Sequence, residues 1–267
     1  MASIEELLKS KTYLDKSIDF LHSVYIYEFD IRAANINSLK TAGRISDNLY
    51  NMLLHFPKNE REIYIGNLIK SDKSYQQDID QIIHDSKNIL LTDFIKDPNS
   101  VLRIANDAIF FINPLPDLPM EYRLKGKYSN IVFVQKNKFN AFLKFDNILV
   151  FINTNSPEFV VDVKGINDSA VPLHEPILEL ICNCISAKET GGVNTSLRIF
   201  NDYYSKYISL KLPIEYYREF NSNSGYRINS SVDTFITPEV PPEIDIRNLD
   251  INTNLKVLRI LYSYLLR

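Results

Sequence analysis

Residues Val101–Ile112 read VLRIANDAIFFI, an almost wholly apolar stretch broken at its centre by Asn106-Asp107. Two β-branched, apolar runs on either side of a polar turn pair predict a hairpin, with strands over Val101–Ile104 and Ala108–Ile112. Strands this apolar must be buried on both faces, so the fold has to cover them with other layers. The hairpin also carries a carboxylate, Asp107, at its tip. Such a residue is either a plain turn aspartate or a metal ligand presented by a buried hairpin.

A second buried strand, VYIYEF (Val24–Phe29), runs directly into another carboxylate, Asp30, and a helix over Ala33–Ala42 follows, stopped by Gly43. Ser3 and Glu6 match a capping box, and Ile4, Leu7, Leu8, Leu14, Ile18 and Leu21 recur near helical spacing, predicting a first helix that ends near His22. From Asp47 to Ile95 the pattern is helical, with Asn59 and Glu62 in capping positions for one helix. Further strands are predicted over Asn130–Gln135, Phe139–Phe145, Ile148–Ile152 and Phe159–Val163, with a turn at Asp146-Asn147. Helices return at Pro176–Ala187, Asn194–Leu212 and Leu255–Leu266, with Gly191-Gly192 as a turn and Thr237–Asp245 as a proline-rich connector. Strands segregated from helices in this way define an α+β class. A boundary near Val171 separates a mixed domain, 1–171 with a helical insert over 47–97, from a helical region, 172–267.

Composition narrows the function classes. A chain of 267 residues with 45% apolar content has ample core, and its net charge of −3 gives no overall basic field. No apolar run approaches the roughly 20 residues of a membrane span, and the charged start MASIEELLKSK does not read as a signal peptide, so a cytoplasmic protein is expected. The abundance of Ile, Asn, Lys and Tyr fits an AT-rich genome such as that of a phage. Cys182 and Cys184 form a C-x-C pair that suits neither zinc nor a disulfide framework, and His22, His55, His84 and His174 show no metal spacing. No dinucleotide fingerprint, P-loop or nucleophile elbow occurs.

Asp30 ends one strand and Asp107 sits at a hairpin tip, so neighbouring strands would bring both carboxylates to one sheet edge. Two such groups repel, and a hard divalent cation between them, Mg²⁺ or Mn²⁺, relieves the repulsion. The unpaired N–H groups of the helix after Asp30 would face the same edge and could hold a triphosphate. The plainer alternative makes Asp30 an N-cap and Asn106-Asp107 a turn.

The order of these segments resembles family B nucleic-acid polymerases. YEFDIRAANINSL (Tyr27–Leu39) is similar to the first palm motif, D-x-x-S-L-Y-P-S-I, and Asp30 falls on its metal-binding aspartate. RIANDAIFF (Arg103–Phe111) is similar to Y-G-D-T-D-S-V-F, with Asp107 on the second aspartate and Ala105 on the first. VQKNKFNAFLKFDNILV (Val134–Val150) resembles the K-K-x-Y stretch through Lys136 and Lys138, and VDVKGIND (Val161–Asp168) resembles the V-K-G element through Lys164. The resemblance implies a polymerase-palm-like antiparallel sheet followed by a thumb-like helical region. It implies two-metal phosphoryl transfer to a nucleic-acid 3′-hydroxyl, with Asp30 and Asp107 as catalytic metal ligands. Primer–template and a nucleoside triphosphate are then the partners.

Lys136, Lys138 and Lys164 would hold nucleic acid, and Lys70, Lys73 and Arg61 are candidates for the triphosphate. The family tyrosine that blocks a ribose 2′-hydroxyl falls on Asn35, which implies tolerance of ribonucleotides. The exonuclease domain and the fingers motif are missing, so another subunit is expected, with the C-terminal helix as a docking element. Two other readings stay open. One is an inactive palm that binds nucleic acid or acts as a scaffold; the other is an unrelated phage-encoded interaction protein.

Overall fold

The computed structural model describes residues 3–155, 160–229, 234–236 and 244–267. Two compact units are present, one made of Met1–Ile18 with Val24–Lys138, the other of Asp19–Ser23 with Phe139–Arg267. The sequence boundary at Val171 falls inside the second unit, where a 3₁₀ turn over Val171–His174 leads into its helices.

The first unit opens with α1 (Ile4–Lys9), whose capping box is formed: Ser3 Oγ accepts from the Glu6 N–H at 3.3 Å, and the Glu6 carboxylate accepts from the Ser3 N–H at 2.8 Å. The helix expected to continue to His22 stops there. Tyr13–Leu14 instead forms β1, and Phe20–Ile31 forms β2, much longer than the strand expected over Val24–Phe29. Strand pairing overrides the helical spacing of Leu14, Ile18 and Leu21, because Tyr13 and Leu14 pair with Ile104 and Arg103. After β2 come α2 (Ala34–Thr41), stopped at Gly43 with φ +70°, then α3 (Asp47–Leu54), α4 (Lys58–Ser71) and α5 (Ser74–Ile89). Asn59 and Glu62 do not cap α4, which starts behind Pro57 without a side-chain cap.

The expected hairpin is present as β3 (Val101–Ile104) and β4 (Ala108–Asn113), followed by β5 (Glu121–Arg123). The two strands expected over Asn130–Gln135 and Phe139–Phe145 are one continuous strand, β6 (Val132–Phe145), whose first half belongs to this unit. Within the unit the sheet order is β1-β3-β4-β2-β6, with β5 also paired to β6. The β1–β3, β3–β4, β2–β4 and β5–β6 pairs are antiparallel. Strand alternation gives β2 two characters. Tyr27, Phe29 and Ile31 enter a core with Ile109, Phe111 and Phe133, while Glu28 and Asp30 take the alternate positions. A separate core of Ile36, Leu39, Leu53, Ile65 and Ile79 joins the helices α2 to α5.

The second unit holds the rest of β6, β7 (Ile148–Asn153) and β8 (Val160–Lys164), antiparallel in that order. The strand expected from Phe159 starts at a residue outside those described, as does most of the connector expected over Thr237–Asp245. Against this sheet pack α6 (Glu175–Ile208) and α7 (Leu255–Leu265). Gly192, at φ +75° and ψ +178°, breaks α6 into the two helices expected on either side of Gly191-Gly192. The region expected to be helical also contains a short antiparallel pair, β9 (Tyr226–Ile228) and β10 (Thr234–Ile236). Cys182 and Cys184 are free and buried, and burial pushes their thiols up to about 11 and about 12. The α+β class thus holds, with an antiparallel sheet. No helix among the described residues is long and apolar enough to cross a membrane.

Candidate two-carboxylate cleft

Asp30 is the penultimate residue of β2 and sits opposite Ala108 in β4. Asn106-Asp107 forms the two-residue loop of the β3–β4 hairpin, closed by a 2.8 Å bond from the Ala105 N–H to the Ala108 carbonyl. The Ile31 N–H donates to the Asp107 carbonyl at 3.0 Å, which ties the hairpin tip to the end of β2. Asp30 and Asp107 both line one cleft of about 870 Å³ in the first unit, in the upper part of the usual range for small-molecule sites.

Asp30 is not the helix cap of the plainer alternative. The N-cap of α2 is Ala33, held in the left-handed region at φ +45° with no side-chain cap. One Asp30 oxygen, Oδ1, is buried without a hydrogen-bond partner among the described residues, and Oδ2 lies 3.5 Å from the Lys136 ammonium. Burial holds the Asp30 carboxyl above the usual carboxylate range; the charge of Asp107 adds to this, Lys136 opposes it, and Glu28 adds again. The Lys136 pair therefore does not outweigh desolvation and carboxylate repulsion. Glu28, two residues earlier and buried, accepts from Asn137 Nδ2 at 2.5 Å.

The walls of the cleft are mainly cationic. Lys11, Arg32, Lys58, Arg61, Lys87 and Lys136 line it, against Asp30, Glu62, Asp80 and Asp107. Arg61 lies in the first turn of α4, largely buried, 3.6 Å from Glu62, and its Nε has no hydrogen-bond partner among the described residues. Lys87 projects from α5 and is buried; its ammonium donates to the Ala105 carbonyl at 2.8 Å and the Lys11 carbonyl at 2.9 Å. No carboxylate lies within ion-pair distance of Lys87 among the described residues, and burial lowers it to about 8. The N-termini of α2 and α4, neither closed by a side chain, also border the cleft through Ala33, Ala34 and Lys58.

The sequence-derived candidates separate into two groups. Asp30, Asp107, Asn35, Arg61 and Lys136 share the cleft. Asn35 donates to Glu62 at 2.7 Å. Lys70 and Lys73 are exposed at the α4–α5 junction and do not line it. Lys138 donates to the Pro116 carbonyl at 2.5 Å and covers the ring of Tyr25, and it too lies outside the lining. Lys164 belongs to the second unit, 2.8 Å from Asp162. Sequence reading missed Lys11, Lys58 and Lys87. The C-terminal helix α7 buries Val257, Leu258, Leu261, Tyr264 and Leu265 within its own unit.

No cluster of three or more His, Cys, Asp or Glu suited to a metal occurs among the described residues. Two carboxylates nonetheless meet the usual demand of Mg²⁺, which takes one or two protein carboxylates and completes its shell with water and substrate phosphate. The orphaned, buried Oδ1 of Asp30 fits such an ion.

A mixed α+β unit with two carboxylates at one end of an antiparallel sheet, facing a basic cleft, is the class that fold and site define. Over residues 1–266 the chain matches the family described as Bacteriophage PBS1 gene 130 protein, and it belongs to that family. The phage description agrees with the origin that composition suggested. No curated protein matches the chain.

Proposed function

We propose that this protein is a palm-like nucleotidyltransferase that extends a nucleic-acid 3′-hydroxyl from a nucleoside triphosphate. The observation that carries the reading is the convergence of Asp30 and Asp107, 77 positions apart in the chain, on one basic cleft. The neighbourhood of β2 and the β3–β4 hairpin supports the resemblance to a family B palm, because the two matched motifs lie on adjacent strands.

Asp30 and Asp107 would hold Mg²⁺ or Mn²⁺. Such ions, when bound, make the primer 3′-hydroxyl easier to deprotonate and offset charge on the departing pyrophosphate. The chain's own residues do the remaining work. Arg61 and Lys58 bind the triphosphate, helped by the open N-terminus of α2. Lys136 orients phosphate near the carboxylates. Asn35, tied to Glu62, presents a small polar side chain towards the sugar, so both ribose and deoxyribose are accepted. The 3′-oxygen bonds to the α-phosphorus as the bond to pyrophosphate breaks.

Primer extension with labelled nucleotides and Mn²⁺ or Mg²⁺ tests the reading. Product from wild type and none from Asp107→Asn, with both folded, supports it. Primer–template binding without extension, unchanged by Asp30→Asn and Asp107→Asn, replaces it with the second reading, an inactive palm that binds nucleic acid. Ala105, standing where the resemblance has an aspartate, favours that second reading. Neither binding nor extension points to an interaction protein.

A further inference from the structure

We propose that Lys136 is a place-holding counter-ion, which a divalent cation displaces from Asp30 when the cleft is loaded. The inference rests on the two-carboxylate reading and adds a mode of regulation to that site. The Lys136 ammonium lies 3.5 Å from Asp30 Oδ2, close enough to neutralise it and too long for a firm charge-assisted bond. The lysine side chain is 56% exposed, whereas the Asp30 side chain is 26% exposed. The cation can therefore leave for solvent, and the carboxylate cannot follow.

The surroundings of Asp30 favour such an exchange. Glu28 is two residues away in β2 but engaged by Asn137. Asp107 bears on Asp30 from the hairpin tip; of the other lysines in the lining, Lys87 is held by two backbone carbonyls and Lys11 lies 3.5 Å from Asp80. Lys136 is the cationic group paired with Asp30. It leaves Oδ1 unbonded, so the pair satisfies only one side of the carboxylate. A divalent ion held by Asp30 and Asp107 would carry twice the charge of the ammonium it replaces. Lys136 lines the same cleft, where its ammonium would also be within the reach of a substrate phosphate. The loading of metal and the release of a phosphate-binding cation are thereby one event.

Mn²⁺ binding by isothermal titration separates the possibilities without any assay of turnover. Wild type, Lys136→Gln, Lys136→Arg and Asp30→Asn are compared at low and high salt. Removing a partly exposed competing cation should tighten Mn²⁺ binding roughly two- to fivefold in Lys136→Gln, given the modest worth of such pairs. Lys136→Arg, which keeps the charge, should stay within about twofold of wild type by the same measure. Asp30→Asn should abolish the tight site. In parallel, the acetylation rate of Lys136, read by mass spectrometry, should rise when Mg²⁺ is added. If wild type binds Mn²⁺ but Lys136→Gln binds it equally or more weakly, the counter-ion role is wrong and the two-carboxylate reading survives. If wild type binds no Mn²⁺, both are wrong.

Discussion

The Ile31 N–H donates to the carbonyl oxygen of Asp107 at 3.0 Å, so the strand bearing Asp30 and the turn bearing Asp107 are fastened next to both carboxylates. This bond makes the proximity of the two acids a property of backbone pairing. After burial, the charge of Asp107 is a further reason why the Asp30 carboxyl sits above the usual carboxylate range.

Neutralising either acid should accordingly separate stability from activity. Asp30→Asn and Asp107→Asn remove like-charge repulsion, and at Asp30 they also remove the desolvation of a buried carboxylate. Both variants should unfold in urea at the same or a higher concentration than wild type in metal-free buffer. Extension should fall at least about a thousandfold, the equivalent of several kcal/mol of transition-state stabilisation. Variants that lose activity because they unfold earlier would remove the argument for a functional pair.

The cleft makes a sharp distinction among basic residues that the sequence treats alike. Arg61 is largely buried on the cleft wall, while Lys70 and Lys73 are exposed outside it. Arg61→Met should raise the KM for nucleoside triphosphate about ten- to a hundredfold, the usual worth of a charge-assisted bond, with a smaller effect on kcat. Lys70→Met and Lys73→Met should leave both constants unchanged. Steady-state kinetics on the three variants decides it.

The hairpin could be read in the sequence because two apolar runs flank one polar pair, and that local pattern coincides with the burial of β3 and β4. Asp30 and Asp107 were legible for the same reason: each terminates an apolar run. Two features were not. Tyr13–Leu14 pairs with β3 across some 90 residues, a long-range contact that outweighs the helical spacing around it. Lys87 sits among polar residues of α5, where a lysine normally means a solvated face; only the docking of α5 beside the hairpin turns it inward.

The V-K-G stretch that the sequence marks has a concrete backbone reason in the second unit. Gly165 adopts φ +92°, and a Cβ there would lie 2.2 Å from the Asn147 carbonyl oxygen, in the turn between β6 and β7. Gly165→Ala should cost roughly 3 kcal/mol or more, combining left-handed strain with a backbone clash. Gly43 also has positive φ, +70°, but nothing lies within 4 Å of the added carbon, so Gly43→Ala should cost only about 1 kcal/mol. Urea unfolding of the two variants tests the difference. Equal losses would mean that the close approach at Asn147 relaxes freely.

Lys87 gives the fold a pH dependence of definite sign. Burial lowers its ammonium from 10.5 to about 8, because the charged form is desolvated with no carboxylate paired to it. Between pH 8 and pH 10.5 the unfolded chain then binds more protons at this residue than the folded one, so folding stability should rise with pH across that window. The largest gain is about 3 kcal/mol, from roughly 1.4 kcal/mol per pKa unit. Lys87→Met lacks the titration and should lose this rise, though it leaves the Ala105 and Lys11 carbonyls without their donor. Urea midpoints taken every half pH unit on wild type and Lys87→Met expose the difference between the two curves. If the curves run parallel from pH 8 upward, the Lys87 ammonium is not net destabilised by burial in the folded chain.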